Sequence, residues 1–359
     1  MQINLSSQYK TQSKTFSQQS FSGYFACPIK EIHIHPVAEV DGVAQELQQK
    51  CSNYFDIILQ TDNEIVNLNK AKPNNYINTR LKPWSQDYKV FLESGTVGSL
   101  FLNAEKALLE LSEFLGLNCK QISSDFAGGN FFIGKKNDGE TFMLLGEKSL
   151  FNKDGRTISK DFEIKKGNIL KIHQSDFHID MTVRPLIFPD VLVADEDMLL
   201  NLLMKEPEVK RNKKLKNKIL KMYNHRKKYQ NIERYKETKQ IIKEIEEHGL
   251  NTIKVPGILG ENNLNFMNAI VHQNPDGSLI YITGGSTLFK KEGINLNKIF
   301  EKALKNAVPQ IKDVIFIECK DKIGETILEG TLKEIHGGLH CMCCERPDFE
   351  RWNKLINEK

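Results

Sequence analysis

Two short turns do most to limit the folds open to this chain. Asn137-Asp138-Gly139 separates the apolar runs "NFFIGKK" and "ETFMLLGEK", and Pro275-Asp276-Gly277 interrupts "FMNAIVHQNPDGSLIYITGG". A turn of this type between apolar runs predicts a β-hairpin. Strand and helix signals alternate around the two turns. "EIHIHPVAEV", "YFDIILQ", "ILKIHQ", "HIDMTVRPLIFPDVLVA", "TIKVPG" and "DVIFIEC" read as strands. "SLFLNAEKALLELSEFLGLN", "DMLLNLLMK" and "NLNKIFEKALKNAV" carry apolar residues at helical spacing, the first stopping at Gly116 and Asn118. Strand, helix and hairpin thus recur without a sequence repeat. Small similar modules round a centre fit this pattern, with polar residues at strand ends meeting at the axis. The connections are short, so one domain is expected rather than two.

Two segments stand apart. Residues 1–25 are rich in Ser and Gln with few aliphatics, which predicts a disordered tail and a body spanning 26–359. From Val209 to Lys239 thirteen Lys or Arg face two Glu. The whole chain is only +4, so the rest of it is acidic. This stretch predicts a long helix within an insertion at about 205–248, ended by Gly249. Its simplest role is a solvated surface arm; an acidic partner for helix 209–239 is the sharper alternative. There is no run of eighteen apolar residues and no secretory leader, so no membrane span is expected. Seven cysteines, an odd number scattered along the chain, suit a reducing, cytoplasmic setting.

Three places can carry chemistry. In "HGGLHCMCCERPDFERW" Cys341 follows Gly337, Gly338, Leu339 and His340. The glycines allow close backbone approach, which suits a nucleophilic thiolate. A zinc knot with His336 and His340 is the rival reading, but Cys341-x-Cys343-Cys344 is poor ligand spacing. Cys343 and Cys344 read as packed thiols. In "QSDFHIDMTVRP" His178 and Asp180 stand two apart. On a strand both would project to one side, as an acid-base group and a cation binder, or as a structural hydrogen bond at a strand edge. In "LKPWSQDYKVFLE" Asp87 follows Trp84 by three, where carboxylate and indole can hold a planar cation; a turn aspartate is the plainer reading. His173 has a weaker claim.

Taken together these segments resemble the guanidine-modifying, or pentein, superfamily, which includes agmatine deiminases and peptidylarginine deiminases. "PWSQDY" resembles its W-x-x-D segment, "FHIDMTVRP" its H-x-D strand, "NNLNFMNAIVH" its Asn-containing strand, and "GGLHCMCCERPDFERW" its ending. The resemblance spans residues about 80 to 350. It departs in "SDFAGGNFF", where Ala127 stands at the position of a guanidinium-binding Glu and Asp125 lies two residues earlier. A second departure is Cys343, at a position where members often carry a hydroxyl. The resemblance implies an α/β fold, a pseudo-fivefold propeller of ββαβ modules, with the basic helical segment inserted. It implies a deiminase that turns a guanidino group of protein or peptide arginine, or of an agmatine-like amine, into a ureido group and ammonia. Cys341, His178, Asp180 and Asp87 would be catalytic. Trp84, Asp125, Asn130, Asn268, Gly338 and His340 would contact substrate. No metal or cofactor would carry the reaction; some peptidylarginine deiminases need calcium, but there is no Asp-x-Asp-x-Asp loop in this sequence. An amidinotransferase, or an inactive binding protein using the basic arm, would share the same motif set.

Overall fold

The computed structural model describes residues 22–34, 42–60, 65–71, 89–100, 105–122, 128–147, 155–174, 178–229, 231–259, 264–320, 326–329 and 337–358. In chain order the elements begin with β1 (Ser22–Tyr24), β2 (Ile29–Ile34), α1 (Val43–Cys51), β3 (Asp56–Gln60) and β4 (Ile65–Asn67). Then come β5 (Lys89–Leu92), β6 (Thr96–Ser99), α2 (Glu105–Leu115) and β7 (Asn118–Gln121). After them lie β8 (Phe131–Lys135), β9 (Thr141–Gly146), α3 (Gly155–Phe162) and β10 (Ile169–Ile172). The next group is β11 (Val183–Pro185), β12 (Asp190–Ala194), α4 (Glu196–Leu203), α5 (Pro207–Arg211), α6 (Lys213–Tyr229), α7 (Asn231–Glu247) and β13 (Asn251–Val255). A short pair, β14 (Ile258–Leu259) and β15 (Leu264–Asn265), leads into β16 (Ala269–Gln273), β17 (Leu279–Gly284), α8 (Leu296–Ala307) and β18 (Ile311–Ile317). The chain closes with α9 (Leu339–Met342), β19 (Cys343–Pro347) and α10 (Phe349–Asn357).

One wiring recurs through these groups. A first strand runs antiparallel to a second, a helix follows, and a third strand returns parallel to the second. It joins β5-β6-α2-β7, β8-β9-α3-β10 and β16-β17-α8-β18. It also joins β11-β12 to β13 through α4–α7. Both predicted hairpins lie within it, as β8-β9 and β16-β17. A parallel return needs a crossover, and the helix supplies it while burying its apolar face on the sheet. In the fifth copy the wiring runs across both chain ends. β19 pairs antiparallel with β2, α1 crosses over, β3 returns parallel to β2, and β4 adds an antiparallel edge. Strands β2 and β19, more than three hundred residues apart in sequence, are thereby held in one sheet.

Three expectations change. Residues 22–25, inside the expected tail, belong to the folded body, because β1 pairs with β8 and both Tyr24 and Phe25 are buried. The Tyr24 hydroxyl is the anchor, accepting from the Phe91 amide at 3.0 Å. The stretch 178–194 is two strands, not one. A 3₁₀ turn, Ile179–Met181, precedes β11, and prolines 185 and 189 bound the turn between β11 and β12. The basic stretch is three helices. Asn212 ends α5 and its side chain accepts from Leu215 N at 3.0 Å, capping the start of α6.

Nor is that stretch solvated all round. Val209, Leu215 and Ile219 are buried in a core cluster with Leu199, Leu203 and Phe289, and Tyr223 is buried as well. Leu215, Ile219 and Tyr223 follow i, i+4, i+8 along α6, a single stripe. Lys210, Lys213, Lys214, Lys216 and Lys221 face outward. Among the described residues no helix is long and apolar enough to cross a membrane.

Candidate active site

Cys341 sits on α9, a single turn between Gly338 and β19, rather than at a strand end. It is fully buried. The Asn268 side chain clasps it twice: Cys341 N donates to Asn268 Oδ1 at 3.2 Å, and Asn268 Nδ2 donates to Sγ at 3.1 Å. The same Nδ2 donates to Asp180 Oδ2 at 3.0 Å. Sγ lies 3.9 Å from that oxygen, so a neutral thiol can donate to it. A donor aimed at sulfur favours thiolate and an adjacent carboxylate favours thiol, so the charge of a bound group decides between them.

Local structure fixes each partner. Asn268 immediately precedes β16. Its backbone is held by Asn265 Oδ1, which accepts from the amides of Met267 and Asn268 at 2.7 and 3.2 Å. Asn265 Nδ2 in turn donates to Met181 O at 3.0 Å, tying this turn to the one that carries Asp180. Gly338 is the close-approach point. A Cβ there would meet Asn268 Oδ1 at 2.7 Å, too close for any side chain without displacing the amide. Asp180 lies in the 3₁₀ turn before β11, with His178 the extended residue just ahead of it. The two therefore share a turn rather than one face of a strand, and both are buried. Asn130, the residue before β8, accepts from Ile179 N at 3.3 Å. Its carbonyl thus supports the Asp180 turn.

His340 donates or accepts through Nδ1 with Asp180 Oδ2 at 2.9 Å. Its ring stacks on Phe132 at 5.8 Å, and Nε2 faces Glu345 Oε2 at 3.8 Å, beyond hydrogen-bond length. Glu345 also accepts from Arg184 at 2.8 Å and from Tyr24 N at 3.0 Å. Burial pushes the Glu345 carboxyl up, but the Arg184 charge and His340 outweigh it and hold the group below its usual range. Sequence reasoning missed both Arg184 and Glu345. Arg184 is a lone charge in a run whose neighbours are mostly apolar, and that was the available signal; Glu345, beside Arg346, carried none.

Cys343 and Cys344 point to different core clusters, as adjacent residues on a strand do. Burial, then Glu345, pushes the Cys343 thiol well above its usual value, which suits packing. Of the expected site residues the structure brings together Cys341, Asp180, Asn268, Gly338 and His340, with Asn130 one bond behind. Trp84, Asp87 and Asp125 lie outside the described residues.

Neither a family model nor a curated protein sequence matches the chain. Solved structures do. The agmatine deiminase of C. jejuni aligns over 91% of this chain and 95% of its own, with TM-score 0.54 and 15% identity. A structure provisionally named a peptidyl-arginine deiminase aligns over 93% and 100%, with TM-score 0.52 and 14% identity. The fold is shared with the pentein superfamily. The likeness is one of fold, a mixed α/β arrangement of sheets and helices. It agrees with the superfamily to which the motifs around Asp180, Asn268 and Cys341 point.

Proposed function

We propose that this pentein-like chain is a thiol-dependent deiminase that hydrolyses a guanidino group to a ureido group and ammonia. One observation carries the reading. Asp180, buried beside Cys341, spends Oδ2 on His340 and Asn268, while Oδ1 has no hydrogen-bond partner among the described residues. A buried, open carboxylate oxygen next to a thiol suits a flat cation that donates N–H groups. In this reading the five modules surround a common centre, and Asp180 and Asp87 bind the two sides of the guanidinium. The arriving cation favours the Cys341 thiolate, which attacks the central carbon. The tetrahedral adduct collapses by breaking a C–N bond, and His178 protonates the departing ammonia. His178 then takes a proton from water, the resulting hydroxide displaces sulfur, and a ureido product leaves with the thiol restored. One water is consumed and one ammonia released. Asn268 holds the sulfur in line throughout, so positioning supplies part of the rate.

The test incubates the protein with free arginine, agmatine and an arginine peptide, with and without calcium, scoring ureido product and ammonia separately. Both are expected from at least one substrate, and Cys341→Ala abolishes them while the thermal transition persists. Turnover by Cys341→Ala at the wild-type rate sinks the reading. Transfer of the amidino group to an added amine, without ammonia, makes the chain an amidinotransferase instead. A Cys341 inert to a haloacetamidine leaves a binding protein.

A further inference from the structure

Behind Cys341 lies a chain of four ionisable side chains: Arg184, Glu345, His340 and Asp180 are all 0–1% exposed. Buried charge is costly unless it is paired, so their sum matters more than any one contact. Arg184 meets Glu345 at 2.8 Å and lies over the Phe132 ring at 5.3 Å. Glu345 Oε2 faces His340 Nε2 at 3.8 Å, and His340 Nδ1 meets Asp180 Oδ2 at 2.9 Å. Both ring nitrogens of His340 therefore face carboxylate oxygens. A lone pair on either nitrogen would oppose a like charge, whereas a proton on each is attracted. The Cys341 thiol lies 3.9 Å from Asp180, the buried His178 stands two residues before it, and Glu345 acts on the buried Cys27 and Cys343 thiols.

We infer that His340 is held doubly protonated between Asp180 and Glu345, with Arg184 balancing Glu345, and that this alternating chain keeps Asp180 ionised and its Oδ1 turned to the substrate. Arg184 and Glu345 are thereby positioning residues that act through His340. The inference rests on the reading of Asp180 as the carboxylate that binds the cation. The charges run minus, plus, minus, plus from Asp180 to Arg184 and cancel. Removing His340 alone leaves two buried carboxylates against one guanidinium, so one carboxylate takes up a proton. Removing His340 and Glu345 together restores the balance and leaves Asp180 ionised.

The experiment compares wild type, His340→Asn and the double variant His340→Asn/Glu345→Gln. Each full-length protein is treated with 2-chloroacetamidine, a cation, or with neutral 2-chloroacetamide, and labelling of Cys341 is followed by peptide mass spectrometry. In both reagents the Sγ–C bond forms, the C–Cl bond breaks, chloride leaves with its electron pair and the thiol proton goes to water. Wild type favours the amidine by about tenfold or more. His340→Asn loses about tenfold of that preference. The double variant keeps the preference to within about threefold of wild type. A double variant that loses more than the single one overturns the inference, as does a single variant that keeps the full preference. Thermal unfolding gives a second reading that needs no ligand: the double variant melts above His340→Asn. A double variant no more stable than the single one overturns the inference. Absence of any amidine preference in wild type instead sinks the deiminase reading, while the order of stabilities still judges the charge chain.

Discussion

Replacing Gly338 by Ala adds one methyl group 2.7 Å from Asn268 Oδ1. Ordinary contact begins near 3.4 Å, so the amide must retreat by roughly 0.7 Å. The backbone does not resist the change, because φ −109° and ψ −160° at Gly338 are extended values open to any residue. The whole effect therefore passes through Asn268. That amide makes three bonds in the site: to Cys341 N at 3.2 Å, to Sγ at 3.1 Å and to Asp180 at 3.0 Å. Weakening two of them costs about 2 kcal/mol, or about thirtyfold in kcat/KM if the bonds are kept in the transition state. The assay is ureido formation, with Cys341 labelling by chloroacetamide as a readout that survives loss of turnover. An Asn268→Ala background removes the clash at Oδ1 and leaves only a 3.1 Å contact with Cβ. There Gly338→Ala should cost less than about threefold. Equal losses in both backgrounds would refute the argument.

Acid should loosen the seam between β16 and β2. His272 Nδ1 accepts from Ile29 N at 3.1 Å, and burial, then Arg351, lowers the ring to about 4. The folded value lies below the unfolded 6.5, so stability is full above pH 6.5 and falls as pH drops toward 4, by at most about 3 kcal/mol from this group. Urea unfolding across that range should be steeper for wild type than for His272→Gln; identical slopes would remove the assignment, since His33, also lowered to about 4, contributes to both. At the proposed cation site, Asp87→Asn should raise KM for the guanidino substrate by about tenfold or more while the protein stays folded, and an unchanged KM would take Asp87 out of the site.

Much of the fold could be read from local signals, because its parts are locally coded. Asn137-Asp138-Gly139 and Pro275-Asp276-Gly277 each close a hairpin, and Gly116 and Gly249 each end a helix. What local signals could not show was pairing across the whole chain. β19 beside β2 joins Cys343 to Ile34, and no turn or periodicity marks such a partner. Strand β1 was hidden for a related reason. Tyr24 sits in a Ser/Gln-rich stretch, and its place is fixed by Phe91 and Glu345, far along the sequence. The resemblance singled out Cys341, Asp180 and Asn268, which the structure sets in contact, because the order of its motifs along the chain is distinctive. It missed Arg184 and Glu345 because they act on one another rather than through a motif.

The wiring explains why residues so far apart converge. Asn130 stands one residue before β8, Asp180 three before β11, Asn268 one before β16 and Cys341 two before β19. Each of these strands is the first of its module, so the same connection supplies a polar residue four times. Equivalent connections of similar modules come to equivalent places, and the contacts among Asp180, Asn268 and Cys341, with Asn130 on the Ile179 amide, follow from that. The remaining first strand is β5, and Asp87 stands two residues before it. Asp87 thus has the sequence offset of Cys341 in the one module whose lead-in is otherwise unassigned. This offset, rather than the short Trp84-to-Asp87 motif, is the stronger ground for pairing Asp87 with Asp180 around a planar cation.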